Sequence, residues 1–259
     1  EHPEHLLARG DSWIFGPEEP YERSGDVGNV AFPCGYTIAD DGDTIRFYYG
    51  AADASVALAT GSISGMLRWL VTQGIKGDVV ECGVWRGGSM MAAAKTLVDV
   101  SDTDRDLYLF DTFEGMTPPT DRDVDLNEQN ASASMARSDR HDATSIWASV
   151  GLDDVKRSMA RVPYPKAGIH YVRGRVEDTL PTQAPAQIAL LRLDTDWYES
   201  TKHELEHLYP RLVSGGVLLI DDYGHWKGAR QATDEFIAAT PDFGLLTRID
   251  YTGRVAIKP

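Results

Sequence analysis

The sequence predicts an α/β protein: a three-layer, mostly parallel sheet over residues 63–259, preceded by a β-rich piece over residues 1–62. Three observations lead there. From Ser62 onward, short apolar runs alternate with helical patterns, which is the signature of βαβ units. Before that point the chain is rich in Gly, Asp and aromatic residues, with β-type runs between turn signals, so its character changes near residues 60–65. At 259 residues and 42% hydrophobic content, the chain can bury one main core but is too short for two large enzymes.

In the first piece, Asn29 to Phe32 and Thr44 to Gly50 read as strands, separated by turn signals such as Asp41-Gly42-Asp43. The helix Ser64 to Gln73 opens on Ser, carries Met66, Leu67, Leu70 and Val71 at helical spacing, and stops at Gly74. A buried strand, Asp78 to Val84, follows, then a glycine turn and a helix over Ser89 to Val100. The second strand, Leu107 to Asp111, ends on an acid. Residues 117–142 are polar, with Pro118 and Pro119, and an insertion of that length is expected to be a lid or disordered; helix follows to about Arg161. Further strands fall at Ile169 to Arg173, Ile188 to Asp194 and Val217 to Asp222, with a helix at Glu199 to Val213 and Gly215-Gly216 as the turn. A helix near Gly228 to Ala239 and strands within Leu245 to Ile257 complete the sheet.

Composition removes several classes of function. No uncharged apolar run approaches the roughly 18 residues of a membrane span, and the opening EHPEHLLARG lacks the pattern of an export signal. Two cysteines, Cys34 and Cys82, are too few for a disulfide framework and read as buried thiols in a reducing compartment, so a cytoplasmic protein is expected. With 25 basic and 40 acidic residues the net charge is −15, which repels a phosphate backbone, so neither nucleic acid nor membrane is expected as a partner.

The run Glu81-Cys82-Gly83-Val84-Trp85-Arg86-Gly87-Gly88-Ser89 ends a strand on an acid and places glycines in the turn into a helix, where backbone can approach a ligand. Its spacing is GxxxGG, so it fits neither the dinucleotide fingerprint GxGxxG nor a P-loop. An acid at this turn suits a ligand with an ammonium group, and Asp111 at the next strand tip suits ribose hydroxyls. Together they suggest S-adenosylmethionine.

Leu193-Asp194-Thr195-Asp196-Trp197-Tyr198 ends one apolar strand and Leu219-Ile220-Asp221-Asp222-Tyr223 ends the next. If the strands are neighbours, about 4.8 Å apart, Asp194, Asp221 and Asp222 converge where open α/β sheets bind ligands. Their repulsion is resolved by a hard divalent cation, and all-oxygen ligation favours Mg2+, with manganese or calcium as alternatives, over zinc.

His203-Glu204-Leu205-Glu206-His207 matches the zinc-protease pattern HExxH. At about 100° per residue, Leu205, Leu208, Tyr209 and Leu212 share a face, and both histidines fall about 160° from Leu205, so they are expected to face solvent. An active zinc protease buries that face, and the protease reading is set aside.

VECGVWRGGS, LYLFDTFEGM, the DTDWYEST stretch and IDDYGHWKGAR, in that order, resemble the macrocin O-methyltransferase (TylF/NovP-like) family over about residues 65–259. The resemblance implies a Rossmann-like class I methyltransferase fold, S-adenosylmethionine and Mg2+ as cofactors, and methylation of a sugar hydroxyl on a small-molecule glycosylated acceptor in antibiotic biosynthesis. It implies Asp194, Asp221 and Asp222 as metal ligands and Asp196 as general base; His225, a lone histidine near a strand end, is a second base candidate by position alone. Glu81, Gly83, Val84, Arg86, Gly87, Ser89, Asp111, Thr112 and Asp194 would line the cofactor site, with Ser149, Gly174 and Val176 placed by pattern near the adenine. The family also forms oligomers through a helical N-terminus, so a homo-oligomer is left open here.

The first piece is similar to something else. RGDSWIFGPEEPYERSGDVGNVAFPCGYTI and DTIRFYYGAADASVALATGSI resemble the C-terminal end of β-mannoside phosphorylases, which are five-bladed propellers; Asp53 would be a vestigial sugar contact. The rival to the enzyme is therefore a carbohydrate-binding or phosphorylase-derived protein without methyl transfer.

Overall fold

The computed structural model describes residues 31–38, 44–51, 55–140, 142, 145–249 and 251–259, with side chains from Leu67 onward. Asn29, Asp53 and the side chain of Cys34 lie outside the described residues. The chain divides into two compact units, residues 1–65 with 248–251, and residues 66–247 with 252–259.

The first unit holds a three-stranded antiparallel sheet of β1 (Ala31–Ile38), β2 (Thr44–Ala51) and β3 (Ser55–Ser62), in that order. β1 and β2 pair from Ala31↔Ala51 to Ile38↔Ile45, with a register shift between Pro33 and Gly35. Proline lacks the N–H that a regular ladder requires, which accounts for the irregularity. Helix α1 (Ile63–Thr72) leads out of this sheet.

The second unit is built on a seven-stranded sheet. Its strands are β4 (Asp78–Cys82), β5 (Leu107–Asp111), β6 (Ile169–Arg173), β7 (Ile188–Leu193), β8 (Leu212–Ile220), β9 (Thr247–Arg248) and β10 (Arg254–Ile257). The order is β6-β5-β4-β7-β8-β10-β9, with β4 through β8 parallel and β10 antiparallel to β8. The order reverses between β4 and β7, the switch point at which open α/β sheets leave a crevice for ligands. Val80, Cys82, Phe110, Leu191, Leu193 and Leu218 form the core with Leu205 and Leu208 of α6 (Tyr198–Leu208). Each such fully buried Leu contributes about 1.5–3 kcal/mol of transfer free energy.

Two expectations are corrected. Gly215-Gly216 does not form a turn between a helix and a strand; both lie inside β8, which starts at Leu212. Main-chain bonds to the neighbouring strand hold them there, Gly215 N–H to Lys258 O at 2.8 Å and Lys258 N–H to Gly216 O at 2.9 Å, so sheet pairing overrides local turn chemistry.

The second correction concerns residues 117–142, whose described part is packed rather than loose. It carries α3 (Ala131–Arg137), capped by Asn130, whose side chain accepts from the N–H groups of Ser132 and Ala133. Ala131 and Met135 are buried in a cluster with Trp197, Trp226 and Ala229. Lys227 N–H donates to Val124 O at 2.9 Å, fixing the segment to the start of α7 (Lys227–Ala239).

Candidate active site

The register of the sheet assembles the site. Cys82 of β4 pairs with Leu193 of β7, and Leu193 pairs with Ile220 of β8, so the next residues, Gly83, Asp194 and Asp221, sit side by side at three strand tips. The ladder runs one step further, with Asp194 N–H bonded to Cys82 O at 2.8 Å and Asp221 N–H to Leu193 O at 2.9 Å. Gly83 has φ +82°, and a Cβ there would lie 1.9 Å from the Asp194 carbonyl oxygen. Only glycine allows β4 and β7 to approach this closely at their ends.

A cleft of about 300 Å³ opens at these tips, lined by Gly83, Asp111, Thr112, Gly174, Val176, Asp194 and Asp196, together with Trp85, Met116, Thr117 and Ile146, which the sequence did not single out. The other expected cofactor residues do not line it. Glu81 is 1% exposed, and Val84 and Gly87, within the turn itself, are buried. Ser89 Oγ donates to Glu81 Oε1, and the exposed Arg86 guanidinium stacks on the Trp85 ring, 4.8 Å from its centroid. Ser149 packs beside Gly115, its Oγ buried and without a hydrogen-bond partner. His225 does not line the cleft; its ring meets Trp226 edge-on at 4.7 Å.

Asp111 organises the glycine turn. Its Oδ2 accepts the N–H groups of Val84 at 2.7 Å and Trp85 at 3.2 Å, and its Oδ1 accepts that of Phe113 at 2.7 Å. Thr112 Oγ also lies 3.4 Å from Oδ1, so both oxygens of the carboxylate are engaged in holding the two strand-tip loops in shape.

Asp194, Asp221 and Asp222 each bring a carboxylate oxygen to within 4.8 Å of the others, among the described residues the only such group of potential ligands. Burial holds the carboxyls of Asp194 and Asp222 well above the ordinary range, with neighbouring carboxylates adding to the shift. Asp196, at φ +67°, sits beside them. Its N–H donates to Asp222 Oδ2 at 3.1 Å and its Oδ2 accepts from Trp226 Nε1 at 3.1 Å, and the residue lines the cleft. Burial first, and then the charge of Asp194, push its pKa up to about 8.

The residues fit the expected groups on two counts. Three convergent carboxylates are the donor set of a hard divalent cation. Glu81 Oε2 and Ser149 Oγ are buried polar atoms with no protein partner, the kind of orphan that a bound polar ligand satisfies.

Sequence reasoning missed Arg192 and Asp123, and it weighed Glu204 only as part of the protease pattern. Arg192 was visible as a lone charge inside the apolar strand IALLRL, and it pairs with Glu81, Asp194 and Asp221. Asp123, 0% exposed, accepts from Thr120 N–H at 2.6 Å, Thr120 Oγ at 2.9 Å and Tyr198 N–H at 2.8 Å, which ties the polar segment to the first turn of α6. Asp123→Ala is expected to cost about 2–4 kcal/mol of unfolding free energy in urea titration, since it orphans buried donors at a helix start. Glu204 is 0% exposed, held by Thr195 Oγ at 2.9 Å, and burial pushes its pKa well up. The histidines on either side correct the sequence expectation: His203 and His207 are half-buried, ring to ring at 4.3 Å, rather than facing solvent. Glu204 points to the strand tips and away from them, so the protease pattern has no assembled site.

Fold and site together define the class: an O-methyltransferase of the S-adenosylmethionine-dependent α/β type. Residues 62–257 match the family model described as Macrocin-O-methyltransferase (TylF), and the chain belongs to that family. The chain is 33% identical over 190 residues to an 8-demethyl-8-(2,3-dimethoxy-alpha-L-rhamnosyl)-tetracenomycin-C 4'-O-methyltransferase of Streptomyces olivaceus, covering 71% of this chain and 67% of that protein. It is 32% identical over 184 residues to the demethyldecarbamoylnovobiocin O-methyltransferase of Streptomyces niveus, again covering 71% and 67%. The solved structure of the O-methyltransferase NovP superposes with a TM-score of 0.64 at 28% identity, covering 76% of this chain and 77% of that one. Residues 1–72 match a second model, described as beta-1,4-mannooligosaccharide phosphorylase. Over 59 residues the chain is 41% identical to a 1,2-beta-oligomannan phosphorylase of Thermoanaerobacter sp. (strain X514), covering 23% of this chain and 19% of that protein. The phosphorylase-like segment expected from the sequence is thus present, whereas its propeller architecture is not established by the three described strands. No helix among the described residues is long and apolar enough to cross a membrane.

Proposed function

We propose that residues 63–259 transfer a methyl group from S-adenosylmethionine to a sugar hydroxyl of a glycosylated natural product, with Mg2+ held by Asp194, Asp221 and Asp222. The observation that carries this reading is the convergence of those three carboxylates within 4.8 Å beside the buried acid Asp196. The relatives named for methylating tetracenomycin-type and novobiocin-type compounds support the glycosylated acceptor.

S-adenosylmethionine supplies the methyl on a sulfonium, already electrophilic. A divalent cation supplies Lewis acidity, lowering the pKa of a hydroxyl that is otherwise a poor nucleophile at neutral pH. The chain's own residues do the rest. The Asp196 carboxylate accepts the hydroxyl proton as the oxygen attacks the methyl carbon and the carbon–sulfur bond breaks, while Trp226 holds Oδ2 and so fixes the carboxylate's orientation. Thr112, Gly174 and Val176 line the cleft, where the resemblance puts the nucleoside. Asp111 keeps the glycine turn in shape for the methionine end. Met116 and Thr117 form a wall held by Trp197 Nε1, which donates to Thr117 O at 2.9 Å, and this wall limits water at the reacting atoms.

Calorimetry with S-adenosylhomocysteine, with and without Mg2+, tests the assignment on the full chain. Micromolar binding is the expected result. Absence of binding in both conditions would remove the cofactor and favour a carbohydrate-binding protein derived from a phosphorylase.

A further inference from the structure

Arg192 stands on β7 directly across from Glu81 of β4, and parallel neighbours in register project to the same side of the sheet. Its Nη1 donates to Glu81 Oε1 and to Asp194 Oδ2, both at 2.7 Å, and its Nη2 lies 3.2 Å from Asp221 Oδ1. Two of these partners, Asp194 and Asp221, belong to the group of carboxylates that converge with Asp222. A guanidinium keeps its charge in any protein environment. It and a divalent cation at that group therefore draw on the same negative charge, at a separation where like charges repel.

We propose that Arg192 is a positioning residue that acts as the internal counter-ion of Asp194 and Asp221, holding the metal-ligand carboxylates in place until a divalent cation competes for them. The proposal rests on the reading of Asp194, Asp221 and Asp222 as the cation site. Glu81 gives the arrangement its logic. It lies outside the triad, so the guanidinium keeps one buried partner when it yields the other two, and a buried charge is never left alone. The carboxylates, for their part, always have a positive partner, so the strand tips stay assembled in both states. The consequence runs against ordinary intuition about a residue buried in a binding site: Arg192 lowers the affinity for the cation, and removing its charge tightens that affinity while weakening the cation-free protein.

Thermal unfolding of the full chain, in EDTA and across a Mg2+ titration repeated with Mn2+, tests this with Arg192→Met and Arg192→Lys. Met keeps most of the aliphatic stem without the charge; Lys keeps the charge. In EDTA, Arg192→Met is expected to melt below the parent. Mg2+ is expected to raise its Tm by more than the parent's, with half-saturation at about a threefold or more lower concentration, while Arg192→Lys follows the parent. If Arg192→Met melts lower by the same interval with and without cation, or needs more cation, Arg192 is a packing residue and the proposal fails although the cation site stands. If neither cation shifts the parent or either variant, the cation reading itself falls and takes the proposal with it. Should Arg192→Met be unfolded in EDTA, recovery of its helical circular dichroism on adding Mg2+ supports the counter-ion role, and no recovery overturns it.

Discussion

Asp196→Asn is expected to lower kcat by about 10²- to 10⁴-fold, the usual contribution of a positioned general base, while the affinity for S-adenosylhomocysteine stays as it was. The amide has the shape of the carboxylate and its oxygen can still accept from Trp226 Nε1, so the variant loses proton affinity and little else. The pH profile gives a second readout. Asp196 accepts a proton only when deprotonated, and burial and the charge of Asp194 hold its pKa up to about 8. The parent's rate therefore rises with pH toward that value and levels off above it, and a cation at the adjacent carboxylates moves the rise to lower pH. The residual rate of Asp196→Asn should lack this rise. A variant as active as the parent would eliminate Asp196 as the base.

Gly83→Ala is expected to be the most damaging small substitution in the second unit, costing about 3 kcal/mol or more in urea unfolding. Two effects combine: the backbone at φ +82° disfavours any side chain, and the new Cβ would meet the Asp194 carbonyl oxygen at 1.9 Å. Main chain, unlike the end of a flexible side chain, cannot swing aside, so the relief must come from parting the tips of β4 and β7. That displaces Asp194, and cofactor and cation affinities should both weaken. Gly88→Ala is the control. Gly88 begins α2 (Gly88–Asp99), has nothing within 4 Å of its would-be Cβ and no positive φ, so alanine there should be neutral or stabilise by about 0.4–1 kcal/mol through the unfolded chain. If Gly83→Ala is as mild as the control, the close approach of the two strands does not govern the site.

Much of the second unit is legible in the residues. The strand Leu107–Asp111 has the ends that its apolar run announces, because a strand inside a parallel sheet is covered on both faces, reads as a near-continuous apolar run and stops where polarity returns; Ile169–Arg173, at the sheet edge, also has the expected ends although it is only partly buried. The acids after β7 and β8 could be read as one group for the same reason: in a parallel sheet all ligand-side residues lie at carboxyl ends. Gly215-Gly216 misled, because whether a glycine pair turns or stays extended depends on a distant partner, Lys258, just past the end of β10. The polar segment after Pro119 misled because its anchors are few and buried: Asp123, Ala131 and Met135 look like ordinary residues of a loop.

By itself, then, the chain specified the alternation of strands and helices, the glycine turn, and the carboxylates that end two strands, all of which depend on local pattern. Tertiary structure alone decided which strands are neighbours and in what register. It put Arg192 across from Glu81 and between Asp194 and Asp221, turned Glu204 inward to Thr195, and made Asp123 the cap of a helix 75 residues away. The physical reason is that a buried charge can persist only beside its counter-charge or its donors. Those partners come from distant parts of the chain, and only the folded sheet brings them within a hydrogen bond of one another.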